Sequence, residues 1–413
     1  MSARPSKTGY FLLEALNSLG TTYYFYYIYF FTEKQFQFAK LQNLLLAAAL
    51  GLTYGVSSII GGRFAQRRGC FAALKAGYAI MAVVIGSGAL HHSLALHLAI
   101  MFAGTFGMAL TWPALEAIVS EGETGARLRR HLGIYNLVWS GFGAVAYFTG
   151  GTIIDAAGFR FLFLLAAAIQ AAQLFLVVNL ERFAVARVGD ITGPLNRSAA
   201  NELASRYPSA DEVDYEDDLA RRRSPVAPRA FLRIAWLANP FGYLAINTVI
   251  AVIPMLAKRL GLTVVQAGIV GSLWLFVRAG SFLLLWLWPG WHYRFRWLAG
   301  AYAFMTVSFV AMLLAPNIGI LTGAEIVFGL ALGLIYYSSL YYSMEVGDTK
   351  GEHGGFHEAM IGAGSCAGPA IGALGLYWFP DAAGISTWMP AGLMVVGFSG
   401  LMCLRFRGRL TMR

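Results

Sequence analysis

"GGRFAQRRG", residues 61–69, sets Arg63, Arg67 and Arg68 between two apolar runs, 41–60 and 71–90. The flanking runs decide what the arginines mean. Each is about the ~20 residues that cross a bilayer as a helix, so the charges lie at a membrane surface. Working outward, similar runs occupy 10–32, 95–118, 132–153, 159–180, 231–257, 264–288, 297–315, 317–343, 357–379 and 384–404. The 413 residues are 58% apolar and only 13% charged, with a mean hydropathy of +0.60. A soluble domain carries roughly 25% charge. The expectation is an all-α membrane protein with twelve transmembrane helices.

The net charge of +10 is a topology signal. Lys and Arg gather at the N-terminus, at 63–68 with Lys75, at 127–130, along 182–233, at 294–296, at Lys350 and beyond Arg405. The opposite side holds Lys34, Lys40, Arg160, Lys258 and Arg259. Positive residues stay on the cytoplasmic face. Both termini are therefore expected to be cytoplasmic, in a multi-pass protein of the plasma (inner) membrane, with membrane lipids and not nucleic acid as the charged partner. The first run follows a short basic segment but is too long for a signal-peptide core and lacks a small-residue cleavage site, so it reads as an uncleaved helix. Cys70, Cys366 and Cys403 supply neither a disulfide framework nor metal-ligand spacing. No glycine-rich phosphate loop is present, so no cofactor, metal or ATP requirement is expected.

One long polar stretch, 182–230, contains "SADEVDYEDDLARRRSP" (209–225) and has no apolar period, which reads as a cytoplasmic linker. It divides the chain into a six-helix half, 1–181, the linker, and a second six-helix half, 231–413. The halves show a faint repeat: Asn17 aligns with Asn239, Gly133 with Gly355 and Gly150 with Gly372.

At this point the sequence resembles the major facilitator superfamily. Its signature between spans 2 and 3 reads Gly-x-x-x-Asp-Arg-x-Gly-Arg-Arg; here Gly62, Arg67 and Gly69 match, while Gln66 replaces the Asp. "GGTIIDAAGFRFLF" (150–163) and "GMALTWPALEAIVSE" (107–121) are similar to family stretches entering span 6 and ending span 4. The resemblance implies two pseudo-repeated bundles that alternate access to a central cavity. Spans 1, 2, 4, 5, 7, 8, 10 and 11 would line it, and 3, 6, 9 and 12 would support it. Two departures stand out. Met101 occupies the position where span 4 often carries Arg. Residues 146–150 lack the Gly-Pro-x-x-Gly of many antiporters, a pattern that appears instead at Gly368, Pro369 and Gly372.

In the loop, Gly62 and Gly69 permit a tight turn and close helix approach. Arg63, Gln66, Arg67 and Arg68 are expected to anchor to headgroups or to pair with neighbouring helix ends in a cytoplasmic gate. Glu358, beside His357 at the start of the eleventh run, joins that gate as a pH-sensitive pair, or His357 simply makes a helix-end hydrogen bond.

A charge at the bilayer centre costs about 2.5–3.5 kcal/mol on insertion scales, so polar groups within the runs are functional candidates. Glu14, Asn17, Ser18 and Thr21 form a stripe at helical spacing. Asn136, Ser140, Gly143 and Tyr147, with Trp139 beside them, form another; Asn239, Tyr243 and Asn247 a third; Glu358, Gly362, Ser365 and Pro369 a fourth. Arg278 requires a carboxylate, carbonyls or water: it contacts an anionic substrate or pairs with Glu325, which shares a face with Gly329, Gly333 and Tyr336. Gln170 and Gln173 are expected to bond between helices. In "TTYYFYYIYFF" (21–31), Tyr27 and Tyr29 read as outer interfacial belt, while Tyr24 and Phe25, like Tyr336, can stack on a ligand.

These features point to a non-enzymatic, monomeric secondary active transporter of a small-molecule substrate. Protons are the expected coupling ion, with Glu14 and Glu325 as carriers and uptake of a sugar, nucleoside or similar solute. Drug or lipid efflux is the alternative within this class. A membrane solute sensor without flux is the alternative outside it.

Overall fold

Gly69 sits at φ 90°, a conformation that L side chains rarely adopt, and it turns the chain between two long helices. The structure, a computed structural model, describes residues 7–121, 125–191, 228–346 and 350–410. With no water in a bilayer to satisfy backbone groups, each span must bond to itself as a helix. The first half comprises α1 (Thr8–Phe36), α2 (Lys40–Arg68), α3 (Cys70–Ser87), α4 (Leu94–Ser120), α5 (Gly125–Ala157) and α6 (Arg160–Ile191). The second comprises α7 (Pro228–Arg259), α8 (Val264–Leu287, interrupted at Ser272), α9 (Phe295–Leu314), α10 (Ile318–Val346), α11 (Lys350–Trp378) and α12 (Ile385–Leu410). Most of the expected linker lies outside the described residues, and α6 extends past its expected end at 181.

Local chemistry sets several boundaries. α1 ends on Gln37 in the left-handed region, whose turn bonds back to Thr32. α8 begins with a reciprocal cap in which the Gln266 N–H donates to Thr263 Oγ1 at 3.2 Å and the Thr263 N–H to Gln266 Oε1 at 2.9 Å. Eleven helices among the described residues are long and apolar enough to cross a membrane. The twelfth is α1, 29 residues long, whose polar stripe and tyrosines lower its hydropathy. Those tyrosines correct an expectation. Tyr27 and Tyr29 are buried inside the bundle, not set in a lipid-facing belt. The Tyr27 hydroxyl donates to the Tyr147 carbonyl of α5, and Tyr24 packs on Phe163 of α6.

Within the halves, α3 and α6 pack on α4 and α1, and α9 and α12 on α10 and α7. Their outward residues, such as Val83, Phe175, Val307 and Val396, are exposed, as lipid-facing support requires. Lys75 of α3 pairs with Glu181 of α6 at 2.6 Å, and Gln173 donates to the Leu13 carbonyl at 3.1 Å, an interhelical bond of the expected kind.

Close packing of the first half depends on small residues. A Cβ at Gly61 would stand 2.3 Å from the Ala109 carbonyl oxygen of α4, whereas one at Gly280 would meet nothing within 4 Å. Overpacking typically costs about 1–3 kcal/mol, and a backbone obstacle lies at the upper end of that range. Gly61→Val is expected to lower the melting midpoint of the detergent-solubilised protein, with Gly280→Val nearly silent. Equal midpoints for the two would contradict the α2–α4 packing described here.

The halves meet along two seams, α2 with α11 and α5 with α8. Ser140 of α5 donates to the Leu275 carbonyl of α8 at 3.2 Å. Gly55 and Gly362 bring α2 and α11 into backbone contact, and Gly355 packs against Gly62 lower on the same seam.

Candidate functional site

Between these seams lies a cavity of about 200 Å³. Its wall takes residues from both halves: Thr21, Phe25 and Tyr29 from α1, Leu50 and Tyr54 from α2, Trp112 from α4, Trp139 and Tyr147 from α5, Tyr243 and Asn247 from α7, Tyr336 from α10, and Glu358 and Ser365 from α11. The polar stripes of the sequence converge here because each helix turns its apolar face outward to lipid or to its neighbours. Thr21, Trp139, Asn247 and Tyr336 lie in the wall itself. Asn247 donates to Ser365 Oγ at 2.8 Å, tying α7 to α11. Tyr26 and Tyr147 stack with ring centroids 3.6 Å apart.

Asn17, Glu14 and Asn136 are buried just behind the wall. Asn17 Oδ1 accepts from Thr111 of α4 at 3.3 Å. Asn136 Oδ1 accepts from the Trp139 indole N–H at 3.3 Å, which leaves the Asn136 amide nitrogen without a partner. Both Glu14 carboxyl oxygens are buried without a hydrogen bond among the described residues.

Glu358 departs from its expected place. It lines the cavity instead of standing in a gate at a helix end. α11 begins at Lys350, which puts His357 and Glu358 two turns inside the helix. The Glu358 carboxylate accepts from the Tyr54 hydroxyl of α2, and His357 Nδ1 bonds with Ser339 Oγ of α10 at 3.2 Å, so His357 is not a helix-end cap. Of the remaining gate residues, Gly62 lies on the interhalf seam and Gly69 forms the turn. Arg63, Gln66, Arg67 and Arg68 are exposed at the surface.

Glu116, within the stretch 107–121, belongs to the site although no polar stripe of the sequence marks it. α4 carries it to within 4.8 Å of both His357 and Glu358, measured between their possible ligand atoms, and all three are buried. The signal was an acid one turn after Pro113 in an otherwise apolar helix; what hid it was its partners, more than 200 residues away in the other half. By spacing alone these three groups could hold a metal ion. The Tyr336 hydroxyl approaches Glu116 Oε1 at 3.5 Å.

Arg278 is also buried, 1% exposed, and among the described residues no ion pair joins it to Glu325. Its guanidinium carbon stands 4.5 Å from the Trp139 ring centroid, 4.9 Å from Tyr336, 5.4 Å from Phe282 and 5.9 Å from Trp274. Glu325 lies apart from the carboxyl cluster, against the Trp274 backbone. Gly329 and Gly333 on its helix press against Trp274 and Ser281 of α8, which gives them a packing purpose.

Two six-helix bundles enclosing a polar and aromatic cavity at their interface define a membrane transporter. The profile of the Major Facilitator Superfamily matches residues 10–373, and the chain belongs to that family. Among solved structures, the human organic anion transporter MFSD10 (TETRAN) is 15% identical, with a TM-score of 0.67 over 96% of this chain and 100% of the other. A bacterial homolog of the human lysosomal transporter Spinster, in an inward-facing and unoccupied conformation, is also 15% identical, with a TM-score of 0.64 over 99% and 97% of the two chains. Comparison with curated protein sequences returns no match.

Proposed function

We propose that the protein is a monomeric, proton-coupled secondary active transporter that takes up a small organic solute by alternating access. The observation that carries this reading is the cavity between the halves with a carboxyl pair across its edge, Glu116 from the first half and Glu358 from the second. The wall offers aromatic faces beside Thr21, Asn247 and Ser365, suited to a solute that has both a ring and polar groups. Sugars and nucleosides meet that description, as do the organic anions named for one structural relative.

Glu116 and Glu358 are the coupling groups in this reading, with Glu14 as their nearest acidic neighbour; they replace the Glu14–Glu325 assignment suggested by sequence. With a proton between them, the pair lets α4 and α11 approach; without it, like charges push the halves apart. Asn17, Thr21, Asn136, Trp139, Asn247, Arg278 and Tyr336 hold or position the solute. Gly62 and Gly69, with Arg63, Gln66 and Arg67, belong to the closing cytoplasmic face. The basic loops support a cytoplasmic position for that face and for both termini, in a protein of the plasma (inner) membrane.

The test is solute flux in proteoliposomes. An inward proton gradient is expected to drive accumulation, and preloaded solute to drive counterflow at equal pH. A sensor would bind without exchanging, and a proton-antiporting exporter would deplete solute from the lumen under the same inward gradient. Either result would overturn the uptake reading.

A further inference from the structure

Granting the transporter reading above, we infer that the solute is a small, flat aromatic carboxylate whose charge is received by Arg278. An arginine keeps its charge at all accessible pH, and removing such an ion from water costs several kcal/mol. Among the described residues nothing offsets this in full. Nε and Nη2 of Arg278 have no hydrogen-bond partner there, and the surrounding groups are rings, with the Tyr243 hydroxyl beside the guanidinium. A cation over a ring gains about 0.5–2 kcal/mol, so the rings reduce the cost without saturating the directional N–H groups. The absent partner is a planar acceptor able to take two parallel N–H bonds, which is what a carboxylate offers a guanidinium.

The cavity supplies the rest of the ligand's environment. Trp139, Tyr243 and Tyr336 form its wall and also cover the guanidinium, the farthest centroid being that of Tyr243 at 6.0 Å. A solute in the cavity is thus separated from Arg278 by the rings of these side chains. The unpartnered Asn136 amide, held beside Trp139, is a further donor for the anion. Glu358 lines the cavity and Glu116 lies beside the Tyr336 hydroxyl, so carboxyl charge on that side turns the anion toward Arg278. Trp112 and Trp139 stand nearly perpendicular, at 80°, so a solute ring stacked on one meets the other edge to face, and both arrangements favour a ring. At about 200 Å³, the space falls below the roughly 300–1,000 Å³ of drug-sized pockets, which favours a small solute.

The full chain in nanodiscs, titrated with benzoate, phenylacetate, benzamide and benzylamine, tests this through tryptophan fluorescence and the melting midpoint. Benzoate or phenylacetate is expected to bind about tenfold or more tightly than benzamide, a difference of about 1.4 kcal/mol, and benzylamine not at all. Arg278→Gln should erase the preference. Should that variant not fold, Arg278→Lys decides, because a point charge cannot make the paired bonds and should lose about tenfold. Failure of both carboxylates to bind, equal binding of benzamide, or undiminished benzoate affinity in the decisive variant would overturn the inference. Carboxylate binding without any flux would leave it standing and remove the transporter reading. Gradient-driven uptake of a neutral solute with which carboxylates do not compete would do the reverse.

Discussion

Glu358→Gln is expected to abolish solute accumulation driven by a pH gradient while counterflow at equal pH continues. Glutamine keeps the shape of the side chain and an oxygen to accept from Tyr54, so the contact of α2 with α11 survives. What disappears is a group that exchanges a proton. The ligand atoms of Glu116, His357 and Glu358 fall within 4.8 Å of one another. Two ionised carboxylates at that spacing repel by about 3 kcal/mol at an effective dielectric near 20. That equals the upper part of the ~1–3 kcal/mol through which coupled sites usually act, roughly 5–150-fold in affinity. One proton therefore has enough leverage to decide whether the halves close at this level. Glu116→Gln should give the same loss, and the double variant should be no worse than either single one, because the carboxyls act as a unit. Glu325→Gln, remote from the pair, should retain accumulation. Accumulation that persists in both Glu116→Gln and Glu358→Gln would end the assignment.

The architecture was legible because lipid imposes it. Twelve hydrophobic runs and the placement of arginines such as Arg67 follow from the cost of burying charge and backbone in hydrocarbon, and that cost is paid residue by residue along the chain. The polar stripes were legible for a related reason: Asn247 or Thr21 at helical spacing must avoid lipid, and both face the cavity. What could not be read is how stripes meet. Glu116 joins no polar stripe in the sequence, and only the approach of α11 gives it Glu358 as a neighbour. Arg278 read either as an anion contact or as a partner of Glu325, and the turn of α8, which directs the guanidinium into rings, removes the pairing. The tyrosines of α1 misled in the opposite sense. Their amphipathic rings suit a membrane interface, but α1 is central and its neighbours α5 and α8 supply carbonyls, as Ala267 does for Tyr26 at 3.2 Å.

Gly362→Ala should stop turnover by excluding the conformation described here, and Gly55→Ala should do so far less. The two glycines face each other across the α2–α11 seam, but their missing Cβ atoms point differently. A Cβ at Gly362 would stand 2.3 Å from both the Cα and the nitrogen of Gly55, whereas one at Gly55 would come no closer than 3.3 Å, to the Ala359 oxygen. The first obstacle is backbone in a packed helix and has no rotamer to yield; the second is a tight contact that a small shift relieves. Inverting a 99:1 population requires about 5.5 kcal/mol. Ordinary overpacking, at about 1–3 kcal/mol, falls short of that, so the expectation depends on the obstacle being backbone on both sides. If the halves rock, the protein escapes by separating α2 from α11, and Gly362→Ala should accumulate that separated state. Spin labels on exposed residues flanking the seam, such as Leu52 and Leu374, would report a longer distance in Gly362→Ala and a near-native one in Gly55→Ala. A rigid structural seam predicts a different outcome, with Gly362→Ala lowering the melting midpoint and leaving the label distance unchanged. That result would remove α2–α11 opening from the transport cycle.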